Sequence, residues 1–247
     1  SIRRYAFTDV GVWASFVACW LVATVGYPHG VLALIGVFCV VLLECALLGG
    51  RSRLVRVLVA GALAGAVALA VFIPSVLSVG VTARESGIVN NGFLNGNLSG
   101  IASSLIPVAQ PEVGGWWGAN PPVPMMYVSW ILPLVAFIDW RRLALLTQAL
   151  VSIAVFGLMW LAFVSAPSFF GPFRIPIRMM PYVALAMVLV VVVALSRAMV
   201  IRSSHNWRVL LAVGMTLYSA WFAFAEVPDR ARDQFVSMLV VVTGVLA

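Results

Sequence analysis

Hydrophobic positions run along this chain in long, nearly unbroken blocks, not at the alternating or helical period of a half-buried surface element. A bilayer's hydrocarbon core takes about 20 apolar residues to cross as an α-helix. Seven blocks approach or reach that length and predict spans at about 9–25, 31–48, 57–79, 123–138, 143–166, 179–195 and 209–225. An eighth, Phe235 to Ala247, ends after roughly 13 residues, too few to span. It reads as a truncated span, with a re-entrant or interfacial segment as the alternative. The pattern predicts an all-α fold, a polytopic transmembrane helical bundle forming one domain over residues 1–247.

Polar positions mark the gaps. Tyr27-Pro28-His29-Gly30 makes a tight turn between the first two spans, since Pro and Gly both punctuate helices. Arg51, Arg53 and Arg56 form the next loop. Within the third span, Gly61 and Gly65 make a small-xxx-small pattern that lets two helix backbones approach closely. The one long polar stretch is 80–122, with Asn90, Asn91, Asn95, Asn97 and Asn120 and a short helix expected over Leu98 to Leu105. Loops of this length are usually functional or disordered. Asp139 is placed to cap the helix that begins with Trp140, Arg141 and Arg142. A compact loop, Pro167 to Arg178, leads to the sixth span, and Arg197, Arg202, His205 and Arg208 form the loop after it. There is no internal repeat, and no pair of spans carries the matched Gly/Pro interruptions of an inverted-repeat transporter.

Composition changes this picture in one respect, the orientation. The 247 residues are 63% apolar and only 9% charged, and all 15 basic residues are arginine. The net charge of +7 is spread through short loops, so it does not indicate nucleic acid. Cytoplasmic loops of membrane proteins carry the excess of Arg and Lys. Counted by alternating loops, one side holds ten arginines: Arg3, Arg4, Arg51, Arg53, Arg56, Arg141, Arg142, Arg197, Arg202 and Arg208. The other holds five: Arg84, Arg174, Arg178, Arg230 and Arg232. The first side is expected to be cytoplasmic and the 80–122 loop external. Cys19, Cys39 and Cys45 all fall in apolar runs, as inert buried thiols do. The chain starts at Ser1 without a cleavable signal peptide, and is expected to be an internal piece of a longer protein or complex. The Arg-only, Ala/Val-rich usage suggests a bacterial source.

Soluble-enzyme motifs are absent: there is no phosphate loop, HExxH or CxxC. Glu44 is the only acidic residue deep within a span, and such a carboxylate is a functional candidate by default. The simpler reading, favoured here, is that it lies near the cytoplasmic end and reaches Arg51 or Arg53. Arg174 and Arg178 flank Pro176 on the arginine-poor side, and Pro176 suits the first turn of a helix. A cation there opposes the helix dipole. It answers either to a bound anion, with phosphate the natural partner of a guanidinium, or to lipid headgroups. Arg84, Glu85 and Glu112 line an external cleft or are simply solvated. Trp116 and Trp117 are either an interfacial belt or a stacking platform for a sugar, with loop asparagines such as Asn95 as hydrogen-bond partners. Asn97-Leu98-Ser99 matches a glycosylation sequon.

Two stretches resemble the middle of bacterial GT-C type glycosyltransferases: Phe72-Ile-Pro-Ser-Val-Leu77 followed by Arg84-Glu85-Ser86, and Phe173-Arg-Ile-Pro-Ile-Arg-Met-Met-Pro-Tyr182. The composition is most similar to the actinobacterial cell-wall members. The resemblance covers roughly Leu63 to Arg197 and implies a multi-pass enzyme of the bacterial cytoplasmic membrane. Its partners would be a polyprenyl-phosphate-linked sugar, a cell-envelope glycan acceptor and membrane lipids. The resemblance implies Arg174 and Arg178, then Arg84, as contacts of the lipid phosphate. No cofactor is expected, a divalent metal entering only by resemblance to the class. That class places its catalytic carboxylate in the first external loop, and Tyr27-Pro28-His29-Gly30 has none, so the catalytic residue is expected upstream of Ser1. The competing expectations are a lipid-linked glycan transporter or flippase, and a structural subunit of a membrane complex.

Overall fold

Where there is no water to hydrogen-bond the backbone, a spanning segment must satisfy its own N–H and C=O groups, and a helix does so within one segment. The apolar blocks of this chain accordingly fold as helices. The computed structural model describes residues 3, 6, 12–81, 101–105, 127–144, 148–167, 169–170, 173–174, 176–200, 206–226 and 228–246. Among these residues, four helical stretches are long and apolar enough to cross a membrane: Pro28–Leu48, Gly50–Leu77, Pro176–Ala198 and Asn206–Ala225. Val12–Thr24 and Leu150–Val164 are apolar but shorter. The fold is thus all-α in class and suited to a membrane, and of the seven spans expected, four stretches reach spanning length among the described residues. Contacts divide the chain into two units, Ser1–Val89 and Asn90–Ala247.

In the first unit the described residues include the helices α1 (Val12–Thr24), α2 (Pro28–Glu44) and α3 (Gly50–Leu77). Pro28 opens α2, where its missing N–H costs nothing. A π-helical turn, Cys45–Gly49, ends at Gly50, whose φ of 75° suits a residue without a Cβ. The core gathers Ala6, Cys19, Val41, Cys45, Val57 and Ala64, packed by Leu34, Phe38 and Leu42. Helix α3 starts seven residues before the expected boundary and takes in Arg51, Arg53 and Arg56, which the sequence reading assigned to a loop. Arginine is a good helix former, so charge ends the apolar block without ending the helix. The buried face of α3 is Val57, Ala60 and Ala64. Gly61 meets only the ring of Phe38, with room at 3.5 Å for an added Cβ, and Gly65 faces open space. Among the described residues, the small-xxx-small pair therefore makes no close backbone approach.

In the second unit α4 (Trp140–Ala144) and α5 (Gln148–Val164) precede a two-residue ladder, β1 (Phe169–Phe170) against β2 (Phe173–Arg174). Then follow α6 (Met180–Ala198), α7 (Asn206–Glu226) and α8 (Ala231–Leu246). The expected fourth span is not an α-helix where it is described. Residues 127–131 are irregular, and Leu132–Phe137 form a 3-10 helix. Pro133 near its start lacks the N–H that an α-helical ladder would use. Of the expected helix 98–105, Ile101 and Ala102 are helical and 103–105 are a turn. One core cluster joins Ile138, Leu143, Leu150, Ala194 and Ala198, and another joins Ala136, Ala212 and Val241. Helices α5 and α6 meet at Gly157, where an added Cβ would sit 3.0 Å from the Ala186 Cβ. That contact needs glycine, and it lies outside the motif the sequence pointed to.

Candidate functional site

The hairpin β1–β2 and the 3-10 turn Pro176–Met179 bring the chain back into α6. The ladder sets Phe169 opposite Arg174 and Phe170 opposite Phe173. Pro176, Ile177 and Met179 are buried, Met179 completely, as is Met180 behind them. Arg178 alone in this turn is exposed. Three buried apolar neighbours anchor the backbone, so the guanidinium leaves a fixed point at the start of an apolar helix. Pro181 occupies the first turn of α6. Pro176 therefore opens a 3-10 turn and Pro181 the α-helix, where the sequence reading had a single proline-led helix start. The side chain of Arg174 lies outside the described residues, as do Arg84, Glu85, Asn95, Glu112, Trp116 and Trp117.

Beyond this turn, α5 and α6 enclose an apolar groove of about 260 Å³, lined by Ala154, Gly157, Leu161, Val183, Ala186 and Val190 among others. Gly157 and Ala186 shape it, because small residues at the crossing leave larger side chains to splay on either side. Nothing polar of consequence faces it. It suits a hydrocarbon chain and offers no purchase to a sugar.

Glu44 is held by Arg3. The Arg3 Nη2 donates to Oε1 at 2.7 Å, and Nε donates to Oε1 and Oε2 at 3.1 and 3.0 Å. The carboxylate side chain is 4% exposed and the guanidinium 45%. That hydrogen bond raises Arg3 above its ordinary pKa, against the lowering effect of its partial burial. Glu44 thus takes its grip from an arginine preceding α1, a partner that the expectation of Arg51 or Arg53 did not include. The carboxylate ends α2 at the π-turn, and its charge is met by a fork-like set of donors, which fits a structural ion pair.

A further arginine has a role that sequence counting assigned to topology. Arg208, in the first turn of α7, donates through Nη1 to the carbonyls of Ala136 at 2.9 Å and Ile138 at 3.0 Å. These carbonyls close the 3-10 segment, where no α-helical ladder takes them up. Two backbone bonds reinforce the junction: Asp139 N–H to the Ala198 carbonyl at 2.8 Å, and Val200 N–H to the Phe137 carbonyl at 2.9 Å. Asp139 Oδ1 accepts the N–H groups of Arg141 and Arg142 at 3.1 and 3.3 Å, the cap expected of it. No local signal in the sequence announces the Arg208 contact, because its acceptors lie 70 or more residues earlier.

Among the described residues, no three His, Cys, Asp or Glu side chains gather as metal ligands. Comparison with family models, curated proteins and solved structures finds no match to this chain.

Proposed function

We propose that this chain is part of an integral membrane glycosyltransferase that moves a sugar from a polyprenyl-phosphate donor to a cell-envelope glycan on the external face of a bacterial cytoplasmic membrane. The observation that carries the reading is Arg178, the exposed cation of an otherwise buried turn at the start of an apolar helix. By the sequence count it falls on the side expected to carry the fewest arginines. A guanidinium there offers two parallel donors to a phosphate oxygen pair. The apolar groove between α5 and α6 provides a neighbouring place for hydrocarbon of the same lipid. In this reading Arg178, with Arg174, binds the donor phosphate and stabilises it as it leaves the anomeric carbon. A carboxylate from elsewhere in the full protein deprotonates the acceptor hydroxyl. Trp116, Trp117 and Asn95 would hold the sugar from the external loop, and Arg84 would be a secondary phosphate contact.

The test is Arg178→Ala in the full-length protein, assayed in membranes with a polyprenyl-phosphate sugar. Losing a charge-assisted bidentate contact is worth about 1.5–3 kcal/mol, which is roughly 10- to 150-fold in transfer rate. Insertion should not change, and Arg178→Lys should recover only part of the activity. Undiminished transfer by the alanine variant removes Arg178 from the site. A full-length protein with no acidic residue in an external loop upstream of Ser1 would overturn the transferase reading.

A further inference from the structure

The junction clamped by Arg208 has a second consequence. It draws together arginines that the sequence distributes over two separate loops. Arg141 and Arg142 follow Asp139 at the start of α4, and all three lie within four residues of the Ile138–Met199 bridge. Arg197 precedes Ala198, whose carbonyl accepts the Asp139 N–H. Arg208 reaches the same point from α7. Arg141, Arg142 and Arg197 are exposed, and the neighbouring carboxylate, Asp139, accepts two backbone N–H groups as the cap of α4. The backbone beneath these side chains is fixed by direct hydrogen bonds. Topogenic charge needs no such convergence, because the positive-inside effect depends on the number of arginines in a loop and not on where they meet.

The surroundings specify the depth. Trp140 and Trp207 adjoin Arg141 and Arg208 in sequence and are 55% and 53% exposed. The Arg208 guanidinium carbon lies 4.9 Å from the Trp207 ring centroid. Exposed Trp beside Arg, at the ends of helices such as α6 and α7, is the composition of a membrane–water interface. A guanidinium group at that depth meets lipid phosphates.

We propose that this end of the second unit binds the phosphodiester headgroup of an anionic lipid, with Arg141, Arg142 and Arg197 as the donors and Arg208 as the residue that positions their backbone. The proposal does not depend on the transferase reading or on Arg178.

The probe is the protein in detergent with phosphatidylglycerol, cardiolipin or phosphatidylcholine added, followed by native mass spectrometry for retained lipid. Wild-type protein is expected to retain the anionic lipids selectively. The variant R141Q/R142Q/R197Q should lose that selectivity by roughly fivefold per arginine replaced. A second variant, R141K/R142K/R197K, keeps the topogenic charge and so guards against failed insertion. It should lose part of the selectivity, because an ammonium lacks the planar fork. Equal retention of phosphatidylcholine by wild-type protein overturns the proposal. So does full selectivity in the glutamine variant, or in the lysine variant should the glutamine protein not insert. Displacement of the lipid by millimolar inorganic phosphate would also overturn it, since that would make the site one for a soluble anion.

Discussion

Replacing Arg3 with alanine should destabilise the first unit far more than an exposed arginine normally warrants. The structure sets the size of the effect. Three donor–acceptor contacts of 2.7–3.1 Å join Arg3 to a carboxylate whose side chain is 4% exposed. At an effective dielectric of about 20, unit charges roughly 3 Å apart attract by about 5–6 kcal/mol. Burying the carboxylate offsets much of this, and the guanidinium is nearly half exposed, so solvent screens it further. A net loss of about 2 kcal/mol is expected for Arg3→Ala, most of it from leaving the Glu44 charge under-compensated. Glu44→Gln keeps the shape and removes that charge, so it should cost about 1 kcal/mol or less. In the Glu44→Gln background, Arg3→Ala should then cost only a few tenths of a kcal/mol, giving a coupling of about 1.5 kcal/mol. The measurement is unfolding of the purified protein by SDS titration, followed by tryptophan fluorescence, on all four members of the cycle. Equal costs for Arg3→Ala in both backgrounds would refute the reasoning and reduce the pair to a surface contact.

Arg208→Leu should lower stability by about 2–4 kcal/mol in the same assay, since it strands the Ala136 and Ile138 carbonyls, while Arg208→Lys should restore part of the loss. Asp139→Ala removes the cap of α4 and should cost about 1 kcal/mol, with Asp139→Asn nearly silent in thermal unfolding. Gly157→Ala places a Cβ 3.0 Å from that of Ala186 and should cost about 1–3 kcal/mol. Adding Ala186→Gly should recover most of that loss, and failure to recover would place the strain elsewhere.

The helices were legible because their signal is local. Each apolar block names its own residues, and lipid leaves a backbone few options besides helix. Boundaries were less legible. Arg51, Arg53 and Arg56 read as a loop because polarity was taken for an end, yet they continue α3. The fourth block read as a span by hydropathy alone, while Pro133 and Ala136 belong to a 3-10 segment and the extended Ile138 follows it. At the candidate site, Arg178 and its proline were visible as a charge on the side expected to be arginine-poor. Its isolation among buried neighbours was not visible, because burial depends on helices distant in sequence.

The amino-acid sequence by itself determined the apolar, membrane-suited character of this protein and its all-α class, and its arginines suggested an orientation. These follow from composition and from runs of neighbouring residues. Only the tertiary structure decided what the individual polar groups do. It set Arg3 on Glu44, placed Arg208 under an interrupted helix, made Gly157 and not Gly61 the close crossing, and gathered Arg141, Arg142 and Arg197 at one end. The physical reason is that packing decides which distant groups meet. A buried carboxylate or carbonyl takes whichever partner packing brings within about 3 Å, and residues 41 to 72 positions apart carry no mark of that meeting in the local pattern.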